Sequence, residues 1–445
     1  MVARSVLVLL VLIPASLRGQ ATDIQAFFDL LRGDPEQVAV AERTVLEGWD
    51  DSHSVMLVEV HRFAQRRDLP RLIRLLERAT GQSFGQDMDS WWDWIWATNP
   101  STHPDYSTFK ALLYARIDPS FSDYFDDNLP ANIRLDEIRW GGVVRDGIPP
   151  LDLPALTNVR QARYLDDDNI VFGIAINGQE RAYPKRIMAW HEMFKDTIGG
   201  EHFTGVYCTL CGSMILYRST IDGEHHELGT SGFLYRSNKL MYDHATRSLW
   251  STLSGEPVVG PLAERDIELE PLFVVTTTWG EWRRRHPRTR VLSIDTGYRR
   301  DYSEGAAYRD YFGTDALMFS VPELDTRLKN KDEVLALRFP EAPGAQLAIS
   351  VEFLAGRGVY HASIGPLDFV VLTDQSGASR VYETRGRRFS SWDGRDGVWD
   401  ESGEHWTLTE AALTSADQTS LRRLSAHRAF WFGWYAQYPE TRLVR

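Results

Sequence analysis

The two cysteines of this 445-residue chain, Cys208 and Cys211, stand three positions apart in Tyr207-Cys208-Thr209-Leu210-Cys211-Gly212. A C-x-x-C turn aims both sulfurs at one spot, where they hold a soft metal ion or make and break a disulfide. A static clip is the third use, but a disulfide across so short a loop removes little chain entropy. His191 lies upstream on a segment predicted to be helical over residues 184–198, with proline at its first turn and Gly199-Gly200 after its end. On such a helix Ile187, His191 and Phe194 share the inward face, so the imidazole is expected beside the thiols. Met241, in the strand-like run Asn238 to Asp243, offers a thioether.

Two thiolates, an imidazole and a thioether form a soft donor set suited to copper, with zinc next. Cys208, Cys211, His191 and Met241 are therefore the expected metal ligands, and Glu192, Asp196 and Asp243 the carboxylates expected to orient His191 or carry protons. His225 and His226 are adjacent, so on a strand at most one of them joins any site. Two other motifs fail. His191-Glu192-Met193-Phe194-Lys195 lacks the second histidine of H-E-x-x-H, and Gly229-Thr230-Ser231-Gly232 brings its second glycine one residue too early for G-x-S-x-G.

The elements that must position these residues are mostly strands. Ile170 to Ile176 and Gln179 to Tyr183 flank Asn177-Gly178, whose residues suit the positive φ angles of a type I′ hairpin turn. Asp222-Gly223 and Ser376-Gly377 punctuate two further hairpins. The stretch Trp279-x-x-Trp282, with Pro287, Thr289 and Val291 behind it, recurs as Trp431-x-x-Trp434 with Pro439, Thr441 and Leu443, which predicts two related halves. Upstream, Leu69, Leu72, Ile73 and Leu76 mark one buried helical face, and successive short helices suggest a stack of hairpins. The expectation is thus an α+β protein: an export signal over residues 1–21, a helical HEAT-like region over 22–115, and a β-rich domain over 116–445 in two related halves.

Arg4, the apolar run Ser5 to Ile13 and the small residues up to Ala21 have the pattern of an export signal, which places the mature chain in the periplasm or outside the cell. No later segment is both long and uncharged enough to span a membrane. The formal charge of -13 becomes -15 once Arg4 and Arg18 leave, and this disfavours nucleic acid as a partner. The helical region is the expected surface for a protein partner. One cysteine pair cannot staple so long a chain, so stability must come from its cores, which 15 tryptophans help to fill.

Ala182-Tyr183-Pro184, Trp190-His191-Glu192, Asp196-Thr197-Ile198-Gly199-Gly200, Tyr207-Cys208-x-x-Cys211-Gly212, Met241-Tyr242-Asp243 and Ser248-Leu249-Trp250 together resemble the DUF3179 family. So do Asp146-Gly147-Ile148-Pro149-Pro150-Leu151 and Pro439-Glu440-Thr441, and the likeness runs over roughly residues 130–445. The family is named as a domain of unknown function, so the resemblance implies no reaction. The family commonly has Cys-Pro-x-Cys-Gly, whereas this chain has Thr209 in place of the proline. Threonine restores a backbone N–H and loosens the turn, which alters thiol acidity or metal grip. Thr80-Gly81-Gln82 and Phe84-Gly85, ahead of the clustered tryptophans, also resemble tails of bacterial HEAT-like proteins.

Overall fold

The computed structural model describes residues 24–445; the export signal expected over residues 1–21 lies outside them. The chain divides into two compact units, Met1–Phe109 and Lys110–Arg445. In the first, the expected helix spans Leu69–Thr80, with Pro70 in its opening turn and Gly81 closing it at φ +72°, and it buries Leu72, Ile73, Leu75 and Leu76. The helix His53–His61 is buried along its whole length, so no amphipathic period marks it. Its neighbours are short, from the five residues of Gln25–Asp29 to the 13 of Pro35–Glu47, and no HEAT-like repeat is assigned to them. Among the described residues no helix is long and apolar enough to cross a membrane.

The second unit is built from two halves of the same design. The first half opens with β1 (Ile170–Ile176) and β2 (Gln179–Pro184), joined by the expected Asn177-Gly178 turn with both residues at positive φ. Then come α1 (Lys185–His191), the meander β3 (Met193–Ile198), β4 (Glu201–Cys208) and β5 (Ser213–Arg218), and the hairpin β6 (Leu228–Tyr235) and β7 (Asn238–Asp243). It closes with β8 (Val275–Thr278), α2 (Trp279–Arg285) and β9 (Arg290–Leu292). The second half repeats this with β10 (Glu333–Arg338), β11 (Gln346–Ser350), α3 (Val351–Ala355), a meander of β12 (Val359–Ile364), β13 (Leu367–Thr373) and β14 (Ser379–Glu383), and finally β15 (His427–Phe430), α4 (Trp431–Tyr435) and β16 (Arg442–Val444).

Strand order settles the equivalence. One sheet runs β8-β1-β2-β9 with a fifth strand, Leu156–Asn158, added antiparallel beyond β9; the other runs β15-β10-β11-β16, and in each the matching pairing, β2 with β9 and β11 with β16, is the parallel one. Each tryptophan helix is anchored identically: Trp282 Nε1 donates to Thr289 Oγ1 at 3.0 Å, and Trp434 Nε1 donates to Thr441 Oγ1 at 2.9 Å. Truncating such a buried ring costs about 3–5 kcal/mol. Gly173 on β1 is required by this packing, because a methyl group there would sit 2.3 Å from the Trp282 ring.

The helix expected over residues 184–198 is corrected. It stops at His191, where Glu192 takes φ +58° and its N–H closes the last turn on Met188 O at 2.7 Å. From Met193 onward the burial alternates as Phe194, Asp196 and Ile198 turn inward, the period of a strand. Local pattern alone could not separate a long helix from a short helix followed by a strand.

His427, on β15, has a ring nitrogen, Nε2, that is buried without a partner. Burial, with a smaller push from the Arg338 cation, drives its pKa down to about 4 from an ordinary 6.5. Above pH 6.5 the ring is neutral in both folded and unfolded chains and contributes no pH dependence. Below it the unfolded chain takes a proton that the native one refuses until about pH 4, so stability falls as pH drops through that window, by up to about 3 kcal/mol. Urea midpoints measured from pH 7 to pH 4 are expected to show this slope, and His427→Gln to flatten it.

Candidate functional site

Cys208 ends β4 and Cys211 precedes β5, so the thiol turn is the tip of a hairpin. Gly212 closes it at φ +62°, where a side chain would also collide with the Phe430 ring. Two outside contacts fix its backbone: Tyr311 Oη donates to Leu210 O at 2.7 Å, and Phe430 N–H donates to Cys211 O at 2.7 Å. The turn of the first half thus docks on the tryptophan helix of the second. The equivalent turn of the second half returns the contact: Ala378 packs with Trp279 and Trp282.

Both cysteines are free thiols, and both are buried. The β6–β7 turn faces them with an unusual backbone, since Arg236 and Ser237 are consecutive non-glycine residues at positive φ. This strain, of about 1–3 kcal/mol per residue, aims the Ser237 carbonyl at the sulfurs, 3.1 Å from Cys211 Sγ and 3.9 Å from Cys208 Sγ. Burial, together with the neighbouring Cys208 and Glu192, pushes the Cys211 thiol well up. Burial also acts on Cys208, but hydrogen bonds from the Cys211 thiol and from the backbone N–H groups of Lys239 and Cys211 outweigh it and bring that thiol below its usual range.

Beside the thiols, Glu192 and Lys239 form an ion pair at 3.0 Å with both side chains buried. Thr209 Oγ1 and Tyr308 Oη each donate to the same carboxylate at 2.9 Å. Thr209 therefore couples the thiol turn to the carboxylate. Burial raises the Tyr308 hydroxyl above its ordinary value, so it remains a donor. A pocket of about 50 Å³ opens onto Cys208, Thr209, Glu192, Lys239, Thr230 and Tyr308. Cys211 is sealed behind it against Phe430 and Phe432.

The remaining expected ligands stand elsewhere. His191 is fully buried with both ring nitrogens engaged, Nδ1 with Pro149 O at 2.9 Å and Nε2 with Tyr302 Oη at 2.6 Å. A carbonyl only accepts, so Nδ1 carries the hydrogen and Nε2 accepts from Tyr302. Burial lowers the imidazole pKa, against the Pro149 hydrogen bond that favours the charged ring. Met241 lies among Met193, Val206, Leu228 and Trp250, in a cluster separate from that of the cysteines. Asp196 is held by Arg181, Tyr183 and the Thr197 N–H, and Asp243 by His226 and the N–H groups of Ala245 and Thr246. Among the described residues no three His, Cys, Asp or Glu side chains gather around one ion position. Of the four expected donors the structure thus brings together only Cys208 and Cys211, while the His191 ring is taken up by Pro149 and Tyr302 and Met241 by its apolar cluster. Glu192 alone of the expected carboxylates joins the thiol turn.

The family model described as "Protein of unknown function (DUF3179)" matches residues 145–441. The chain belongs to the DUF3179 family. The match takes in all of the thiol site, from Glu192 through Tyr308, and leaves out the helical unit. No curated protein and no solved structure matches this DUF3179 chain. Sequence reasoning missed Lys239, Ser237, Thr230 and Tyr308, which bring charge, strain and hydroxyls to the thiols. The only available signal was the Arg236-Ser237 pair between two strand-like runs, where a two-residue turn calls for Asn-Gly.

Proposed function

We propose that this protein is a thiol–disulfide redox protein in which Cys208 is the attacking thiolate and Cys211 the resolving thiol. One observation carries the proposal: the two sulfurs are unequal, Cys208 facing the pocket and accepting N–H bonds while Cys211 lies sealed behind it, 3.1 Å from Ser237 O. Oxidation removes two electrons and two protons from the pair, whose turn is tied to Glu192 through Thr209. Export of the chain belongs to the same proposal, since such a pair cycles outside the reducing cytosol.

Wild-type protein brought to equilibrium across a glutathione redox series is expected to show one two-electron transition, with the disulfide found by mass. Cys208→Ser and Cys211→Ser are each expected to abolish it. A pair that stays dithiol across the whole series would overturn the proposal. So would stoichiometric copper or zinc, retained without chelator and lost in Cys208→Ser, because that outcome favours the soft-metal use of the same turn.

A further inference from the structure

We infer, resting on the dithiol proposal above, that the oxidant is a small hydroperoxide reduced at Cys208 within its pocket, and not the disulfide of a protein or peptide. Access decides the class of oxidant. Cys208 is 2% exposed and Cys211 is 0% exposed, so no polypeptide disulfide reaches either sulfur in line. The pocket of about 50 Å³ holds roughly three to five water-sized groups, enough for hydrogen peroxide or a short alkyl hydroperoxide. Its wall is apolar, lined by Ile148, Phe233, Leu234, Met318 and Phe319, which suits a small alkyl group.

The polar atoms match the two oxygens of a hydroperoxide. Thr230 is buried on this pocket, and its Oγ1 has no protein partner. The Lys239 ammonium carries three N–H bonds, of which Glu192 takes one. Spare donors beside a thiolate are what the breaking O–O bond needs.

The chemistry balances in two steps. Cys208 thiolate attacks one peroxide oxygen: the S–O bond forms, the O–O bond breaks, and the leaving oxygen takes a proton from the ammonium to depart as alcohol or water. Cys211 then attacks the sulfenic sulfur: the S–S bond forms, and the hydroxyl leaves with the Cys211 proton as water. In sum, two thiols and one hydroperoxide give a disulfide, an alcohol and a water. The proton first released by Cys208 restores the ammonium, and a small-molecule dithiol, subject to the same limit of access, returns the pair to its reduced state.

Rates test this where the equilibrium series cannot. The reduced full chain is mixed at pH 7 with hydrogen peroxide, tert-butyl hydroperoxide or glutathione disulfide, and disulfide formation is followed by mass. Hydrogen peroxide is expected to oxidise the pair about a hundredfold faster than it oxidises free cysteine. Glutathione disulfide is expected to be far slower than the peroxide. Cys211→Ser is expected to stop at a sulfenic acid on Cys208 that dimedone traps. Thr230→Val, a conservative change of shape, is expected to slow the peroxide step about fivefold to tenfold while leaving the glutathione midpoint in place. A pair that cycles with glutathione but meets peroxide no faster than free cysteine would overturn this inference and leave the dithiol proposal standing. Glutathione disulfide as fast as peroxide would do the same. A pair that cycles with neither would remove both.

Discussion

Replacing Glu410 with alanine is expected to lower the stability of the second unit by about 4 kcal/mol, a large share of the 5–15 kcal/mol typical of a whole domain. Glu410 accepts from Arg380 at 2.8 and 2.9 Å, from Arg423, and from His286 at 3.3 Å, with both arginines and the carboxylate buried. Removing the anion leaves two guanidinium groups out of water, with Asp374 pairing only Arg380, at 3.2 Å. The cluster ties the meander turn of the second half, through Asp374 and Arg380, to His286 behind the tryptophan helix of the first. Loss of cooperativity between the halves is therefore expected along with a lower urea midpoint at pH 7; an unchanged midpoint would refute the assignment. Those cations hold the Glu410 carboxyl well below its ordinary 4.5. Its contribution is fully present above that value and is lost as pH falls toward the depressed native one, so the gap between wild type and Glu410→Gln is expected to narrow below about pH 4.

The second large effect belongs to the site itself. Glu192→Gln keeps an acceptor for Thr209 and Tyr308 but leaves the Lys239 ammonium buried without its counter-charge, at an expected cost of about 3–5 kcal/mol. Lys239→Met leaves the carboxylate with two hydroxyl donors and is expected to cost somewhat less. The double variant removes both charges and is expected to recover at least about 2 kcal/mol of the summed losses. A double-mutant cycle by urea denaturation measures this coupling directly, and additivity within about 0.5 kcal/mol would mean that the two charges do not share one desolvated pair. The same variants carry a functional reading, because the pair sits beside Cys208 and its loss changes the field at the thiolate.

Much of the fold was legible in the residues. Asn177-Gly178 specified its hairpin because only a few residue types accept consecutive positive φ angles. The repeated Trp-x-x-Trp with threonine seven residues beyond the second tryptophan disclosed the two halves, because each indole needs a buried hydrogen-bond partner at that offset. The helix expected to run on to Ile198 failed because Phe194 is inward on a helix continued from His191 and equally inward on the strand that follows.

Composition and spacing by themselves determined that one thiol pair stands in a C-x-x-C turn in a chain too large to be stapled by it. Short-range chemistry is written in short-range sequence, so the C-x-x-C, the turn residues and the family likeness could all be recognised there. Which side chains meet the thiols was decided only by tertiary structure. Lys239 and Ser237 come from the next hairpin, Tyr308 from a loop about a hundred residues downstream, and the seal over Cys211 from the opposite half. The donors expected from sequence turned to other partners, because an imidazole or carboxylate in a folded core bonds to whatever polar group the packing brings within reach, and nothing in its own neighbourhood along the chain records what that will be.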